Sequence, residues 1–353
     1  MTSNCDTYIG VDLHKKSIYV TVMKPNGEIA RQTEIENKGE TIKSFFTKYA
    51  DGSKIAVEST MNWIPFYERL ESLGCSVSLS NPLMTKAIAA ARIKNDKVDS
   101  RILADLLRTN LLPMSYIQTQ PIRDVKEIVR ERYSYVQMRT KVKNNIHSIL
   151  FKAGVEGQPD NLFTKKGRKF LTELEIRNIY RQELNRYLET LTFLDERISG
   201  IENTVRKLAQ NDYDCKILIT IPGIGYYSAL MIKSEIGDIE RFPSAKKLCA
   251  YAGLIPSTYA SADKIRTGRI TKRGSKWLRK TLVDSITSGS RKTHKLSTFY
   301  RKLKKNKGTG KAKVATARKL CSIIFAMLKD KQPYREFVPT KHREDTPLNN
   351  MVN

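Results

Sequence analysis

The first apolar run of the chain, residues 8–13 (YIGVDL), is broken only by Asp12. Such a run predicts a strand in the middle of a sheet that ends on a carboxylate. Residues 17–24 alternate in period two and predict a second strand. Pro25-Asn26-Gly27 is a hairpin turn signal, and residues 28–36 return as a third, more polar strand. A helix is expected over 39–49, then a strand over 54–57 that ends at Glu58. Residues 62–73 are amphipathic, with Ile64, Tyr67, Leu70 and Leu73 about one turn apart. A fifth strand over 75–79 stops at Asn81-Pro82, and a helical region follows from 83 to 110, broken near Lys94-Asn95.

Past Pro121 the period stays helical. Ile122, Val125, Val129, Val136, Ile146 and Ile149 mark a long helix that carries Arg130, Arg132, Arg139, Lys141 and Lys143. Residues 154–159 break it. A second helix places Leu184, Tyr187, Leu191, Leu194, Ile198, Ile201, Val205 and Leu208 at alternating spacings of three and four, the coiled-coil template. An antiparallel hairpin within one chain and a dimerisation arm both satisfy it. Residues 219–225 (ITIPGIG) then resemble a helix-hairpin-helix turn, in which Gly223 and Gly225 present backbone N–H groups to a phosphate. An ordinary tight interhelical turn has the same pattern. Residues 253–264 read as a hydroxyl-rich loop containing Ser257 and Ser261, residues 307–311 as a flexible loop, and 312–329 as a closing helix. The pattern divides the chain into 1–118, a helical connector over 119–212, a mainly helical domain over 213–335, and a tail over 336–353 expected to be disordered.

The N-terminal order is α/β: three meandering strands, then helix, strand, helix, strand, helix. That is the element order of the ribonuclease H-like (RuvC-like) fold, in which the first and fourth strands lie side by side. Asp12 and Glu58 then stand on adjacent strands. Asp96 and Asp99, three residues apart, share a face of the last helix. Asp105 points about 120° away from Asp99 and is the poorer candidate. Four converging carboxylates are what two Mg2+ ions require, since magnesium takes oxygen ligands and a metal pair stabilises both oxygens of a phosphodiester displacement. The competing reading makes Asp96 an N-cap, Asp99 its N3 partner and Glu58 an edge charge. A phosphate-binding ATPase of the same superfamily would need a glycine-rich turn after Asp12, where this chain has His14-Lys15-Lys16.

Charge points to the partner. The 353 residues hold 63 Lys and Arg against 36 Asp and Glu, a formal net charge of +27. Such an excess calls for a polyanion, nucleic acid first, with binding that weakens steeply with salt. No apolar run approaches the roughly 20 residues needed to span a bilayer, and no signal-peptide core precedes the first strand. The five cysteines are scattered without a CxxC pair, and four histidines are too dispersed for a zinc site. The expectation is a reduced, cytoplasmic protein. Lys264, Arg266, Arg269, Lys272, Arg273 and Arg279 crowd around the hydroxyl-rich loop at a density suited to phosphates. A serine there becomes a nucleophile only when activated.

Taken together, YIGVDLHKKS, AVES, KNDKVDSRILADLL, IPGIG and LCAYAGLIPSTYASADK…GRITKRGSKWLRK, in that order, resemble the transposases of bacterial insertion sequences. These join a RuvC-like domain with a DEDD tetrad to a C-terminal serine-bearing domain. The resemblance implies a Mg2+-dependent DNA recombinase whose tetrad is Asp12, Glu58, Asp96 and Asp99. It implies a serine nucleophile that forms a covalent phosphoserine, so strands are exchanged without ATP. By motif that serine is Ser261, with Ala262 where the family usually has glycine, and Ser257 is the second candidate. It further implies donor and target DNA as partners, a bridge RNA as guide, action at the nucleoid, and a dimer or tetramer in which one subunit's tetrad meets another's serine. The rival activity is a RuvC-type junction resolvase with water as nucleophile. A scaffold that binds nucleic acid without chemistry is the non-enzymatic alternative.

Overall fold

The computed structural model describes residues 7–60, 62–89, 95–261, 264–289 and 294–335, without the side chains of 258–267. The chain divides into two compact units, 1–118 and 119–353. Among the described residues, no helix is long and apolar enough to cross a membrane.

In the first unit the strands β1 (Thr7–Leu13), β2 (Ser17–Met23) and β3 (Ile29–Glu36) form an antiparallel meander. Helix α1 (Gly39–Phe46) leads to β4 (Ser53–Glu58), α2 (Trp63–Ser72) to β5 (Ser76–Ser80), and α3 (Pro82–Ile88) and α4 (Asp96–Arg108) to the two-residue β6 (Met114–Ser115). The sheet order is β3-β2-β1-β4-β5-β6, with β4 parallel to both β1 and β5. The first strand is therefore central, as its apolar run predicts. β6 had no sequence signal, being too short to show a period.

Alternation assigns the two faces of the sheet. Ile9, Val11, Leu13, Val20, Ile55 and Val57 pack with Phe45, Phe46, Phe66 and Leu70 on one side. Gly10 and Ala56 face the other, where Leu103 and Leu106 of α4 lie. A Cβ on Gly10 would stand 1.9 Å from the Ser100 carbonyl oxygen, so α4 rests directly on the β1 backbone. A buried hydrogen bond of 2.8 Å between the Thr21 and Ser100 hydroxyls fixes the helix to β2. Asp12 and Glu58 share the parity of Gly10 and Ala56, so both strands deliver a carboxylate to the α4 face.

The second unit is mainly helical. It comprises α5 (Gln120–Lys152), α6 (Lys165–Glu173), α7 (Asn178–Asn211), α8 (Tyr213–Ile219), α9 (Tyr226–Ile236) and α10 (Ala245–Tyr251). A β-hairpin, β7 (Pro256–Ser261) and β8 (Lys264–Ile270), precedes α11 (Lys276–Gly289) and α12 (Lys295–Asp330). α5 and α7 run antiparallel, as the ion pairs Arg132–Glu202 and Arg139–Asp195 require. Leu184, Leu191 and Leu194 of the heptad pattern are buried against Val142, Ile146 and Leu150 of the same chain. The heptad leucines thus pack within the chain, as the antiparallel-hairpin reading expects. Lower down, Val129 and Val205 join the core of α8–α12.

Two expectations need correction. Residues 253–264 are not an open loop. They enter a hairpin, because the β-formers Thr258, Tyr259, Ile265 and Thr267 pair across it. Residues 307–311 are not a flexible loop either. α12 runs through them with a bend at Gly308 (φ 73°, ψ 168°), since Leu296 and Tyr300 before it and Ala312, Ala317 and Leu320 after it are buried. The chain also stays packed past Lys331, where the Tyr334 N–H donates to Thr220 Oγ1 at 2.8 Å. The tail 336–353 lies outside the described residues.

Candidate metal centre and basic hairpin

Asp12 ends the central strand almost fully buried, with His14 and Asp96 beside it. His14 Nε2 is 3.3 Å from Asp12 Oδ2 and 3.3 Å from Asp96 Oδ1. The candidate ligand atoms of the three all lie within 4.8 Å of one another. The loop that carries His14 is held at its backbone: Asn37 Nδ2 donates to the His14 carbonyl at 2.8 Å, and Asn62 Nδ2 at 3.2 Å. Asp96 is not the cap of α4. Asn95 is, its side chain accepting the Val98 N–H at 2.8 Å, so the Asp96 carboxylate is left to face Asp12.

The electrostatics follow from burial. Burial pushes the Asp12 carboxyl above the usual range; the charges of Asp96 and Asp99 push the same way, while His14 opposes them. For His14, burial is the largest single influence and lowers its pKa, but Asp12 and Asp96 together outweigh it and the net direction is up. Asp99 is thus close enough to act on Asp12 through its charge. Glu58 follows Val57, which pairs with Val11, so its backbone neighbours that of Asp12. Its side chain is not part of the tight trio. Asp105 turns away to Arg108, at 2.6 Å. A buried carboxylate whose ionisation is unfavourable, facing a second carboxylate and an imidazole nitrogen, is a donor set that fits a divalent cation.

In the second unit Ser261 pairs with Lys264 at the tip of the hairpin. The side chains of Ser261, Lys264 and Arg266, like all of Ala262 and Asp263, lie outside the described residues. The Ser257 hydroxyl donates to the Arg269 carbonyl within the hairpin, at 3.1 Å. Arg269, Lys272 and Arg273 are exposed. Arg279 is used internally: Nη1 donates to the carbonyls of Ala252 at 3.0 Å and Lys272 at 3.2 Å. Gly223 has a structural requirement of its own. At φ 97°, a Cβ there would meet Ser285 O and Gly289 N at 2.6 Å. Gly225 is exposed at the start of α9, and its carbonyl receives the Ala229 N–H.

Two residues of this arrangement escaped the sequence reading. His14 follows Asp12 by two, the strand parity that returns a side chain to the same face, and that spacing was its only signal. Glu235 is a lone acid in the apolar stretch of α9. Only 2% exposed, it takes Arg130 at 2.7 Å and the Ser275 hydroxyl at 2.8 Å. Ser275 in turn accepts the Leu278 N–H at 3.0 Å, so Glu235 anchors the start of α11 and the turn bearing Lys272 and Arg273.

Comparison with known proteins bears on both regions. A family model described as "Transposase IS116/IS110/IS902 family" matches residues 215–301, and a transposase model of the DEDD IS110 type matches residues 9–153. The transposase for insertion sequence element IS1111A of Coxiella burnetii is 27% identical over 285 residues, 76% of each chain. The transposase for insertion sequence element IS1328 of Yersinia enterocolitica is 25% identical, covering 78% of this chain and 82% of its own. A pilin gene-inverting protein of Moraxella lacunata is 26% identical over 73% of this chain and 74% of its own.

Proposed function

The chain belongs to the IS116/IS110/IS902 family of insertion sequence transposases, and from that premise we propose that it is a metal-dependent DNA recombinase that cuts and rejoins strands through a covalent phosphoserine. The observation that carries this reading is the meeting of Asp12, His14 and Asp96 on the α4 face of the sheet, with Asp99 in electrostatic reach and Glu58 on the adjoining strand. The antiparallel meander followed by parallel β4 and β5 supports a ribonuclease H-like sheet. Asp12, Glu58, Asp96 and Asp99 are the proposed ligands of two Mg2+ ions. Bound there, the ions would polarise a phosphodiester and stabilise its entering and leaving oxygens.

The residues of this chain have the remaining tasks. Arg269, Lys272 and Arg273, with Lys264 and Arg266, hold phosphates around the hairpin. Gly223 and Gly225 offer backbone at the α8–α9 turn. Ser261 Oγ forms a bond to phosphorus as one bridging oxygen of the DNA leaves. The serine proton is given up and the departing strand end takes one, so a free hydroxyl results. Attack of a strand-end hydroxyl on the phosphoserine reverses the exchange and releases the serine. One ester is made for each one broken, and no nucleotide triphosphate is needed. The Moraxella lacunata relative is named as a gene-inverting protein, and an inversion requires that the strands cut are also rejoined. The family resemblance brings a bridge RNA as guide and a multimer in which one copy's serine serves another's carboxylates, and the net charge of +27 suits two nucleic acids as well as one.

The test is a denaturing gel on DNA carrying the element's own ends. Wild-type protein should yield a protein–DNA adduct, and Ser261→Ala should abolish it with DNA binding intact. An undiminished adduct removes Ser261 from the reaction and turns attention to Ser257→Ala. Cut DNA free of protein from the wild type would instead identify water as the nucleophile.

A further inference from the structure

The most one-sided charge in the chain lies past the hairpin. Between Asp284 and Asp330 there is no acidic residue, while thirteen Lys and Arg occur. The first half of α12 is anchored by Leu296, Tyr300 and Leu303, which pack on the core of the second unit. On a helical wheel these three fall within about 60° of arc; Arg301, Lys302 and Lys305 project from the far side, and Lys304 flanks the buried stripe. All four cations are exposed, as is everything from Lys304 to Lys311. Some cations elsewhere in the second unit have carboxylate partners: Arg132 has Glu202, and Arg139 and Arg168 share Asp195. Among the described residues, Lys302, Lys304, Lys305, Lys307 and Lys311 have no ion-pair partner. At Gly308 the backbone bends, and nothing lies within 4 Å of the position a Cβ would take. Apart from Arg301 itself, the stretch is beyond the residues either family model matches.

We infer that residues 301–313 form a basic arm, bent at Gly308, that grips the phosphate backbone of duplex DNA without reading its sequence. Unpaired like charges on one helix face repel one another, and counter-charge from phosphates removes that repulsion. Six of the seven cations are lysines, compact point charges that lack the guanidinium's bidentate fork for base edges. No aromatic residue lies in 301–313, so the arm has no platform on which an unpaired base would stack. The bend presents the two halves of α12 at different angles, which suits a curved backbone better than a straight rod does. The choice of DNA among polyanions rests on the transposition reading; the cation arrangement does not.

The experiment uses the full chain and fluorescence anisotropy on a short DNA duplex over a series of salt concentrations. The variant is Lys302→Gln, Lys304→Gln and Lys305→Gln together, all exposed, with thermal melting to verify folding. The slope of log affinity against log salt should become shallower by about 2.7, about 0.9 for each lost phosphate contact. The loss should be equal on duplexes of unrelated sequence. An unchanged slope, or a loss confined to one sequence, overturns the proposal. Single-stranded RNA is the second probe: a variant that loses RNA affinity but keeps its duplex affinity overturns the assignment to DNA. Failure of the phosphoserine reading would appear elsewhere, as an adduct that survives Ser261→Ala while the slope still changes.

Discussion

Asp12 holds a carboxylate where burial makes ionisation unfavourable, and its raised pKa states that in chemical terms. A group held above its ordinary pKa by the fold opposes folding once it ionises. The opposition is absent below the ordinary carboxylate pKa and complete above the raised one. Asp12→Asn removes the charge and keeps the shape. In buffer without divalent cations the variant should melt at or above the wild-type temperature near neutral pH, with the difference vanishing in acid, while strand cleavage is lost. A lower melting temperature at neutral pH would make Asp12 a structural residue. Single residues were legible in the sequence only when their neighbours made them improbable. Asp12 stands out because the run around it is apolar, and Asp96 because it opens a helix. His14 does not, since one histidine beyond a strand has no pattern around it. Arg279 shows a related gap: composition counts a cation but does not say that two carbonyls already take one of its nitrogens.

Elements were more legible than their partners. Each strand of the meander and the parallel pair appears near its expected place, because alternation and turn residues are local. The heptads of α7 are equally local, but what they pack against is not: the pattern alone does not name α5 as the element that covers Leu184, Leu191 and Leu194. The hairpin β7–β8 was hidden because its strands mix Pro, Ser, Gly and Arg with the β-formers. Where elements meet, polar clamps do what pattern cannot show. Asp214 of α8 binds Lys233 of α9 and, at 2.6 Å, Lys331 at the left-handed end of α12. Burial, the largest influence, raises the Asp214 pKa, yet the hydrogen bonds and charges of the two lysines outweigh it and the net direction is down. A depressed carboxylate stabilises the fold above its ordinary pKa and loses that contribution as pH falls through the depressed one. Asp214→Asn should therefore cost about 2 kcal/mol in denaturant unfolding near neutral pH, and the gap should close in acid. Equal midpoints near neutral pH would show that the clamp contributes nothing.

Across the whole molecule, charge separates the two units. Residues 1–118 hold 15 Lys and Arg against 13 Asp and Glu, whereas residues 119–353 hold 48 against 23. Nearly all of the +27 thus belongs to the second unit, and the carboxylate cluster belongs to the nearly neutral first. A carboxylate centre placed in a strongly positive unit would have cations competing with metal for its oxygens, and a phosphate grip placed beside exposed acids would be weakened in turn. Separation lets each unit keep its own counter-charge. Two variants test the division. Lys272→Gln with Arg273→Gln, both exposed, should lower the salt slope of DNA binding by about 1.8 and leave divalent-cation binding, followed by titration calorimetry, unchanged. Asp12→Asn should weaken the cation titration and leave the salt slope where it was. If either variant moves both measurements, DNA grip and metal chemistry are one coupled site, and the carboxylates have to be read together with the cations around them.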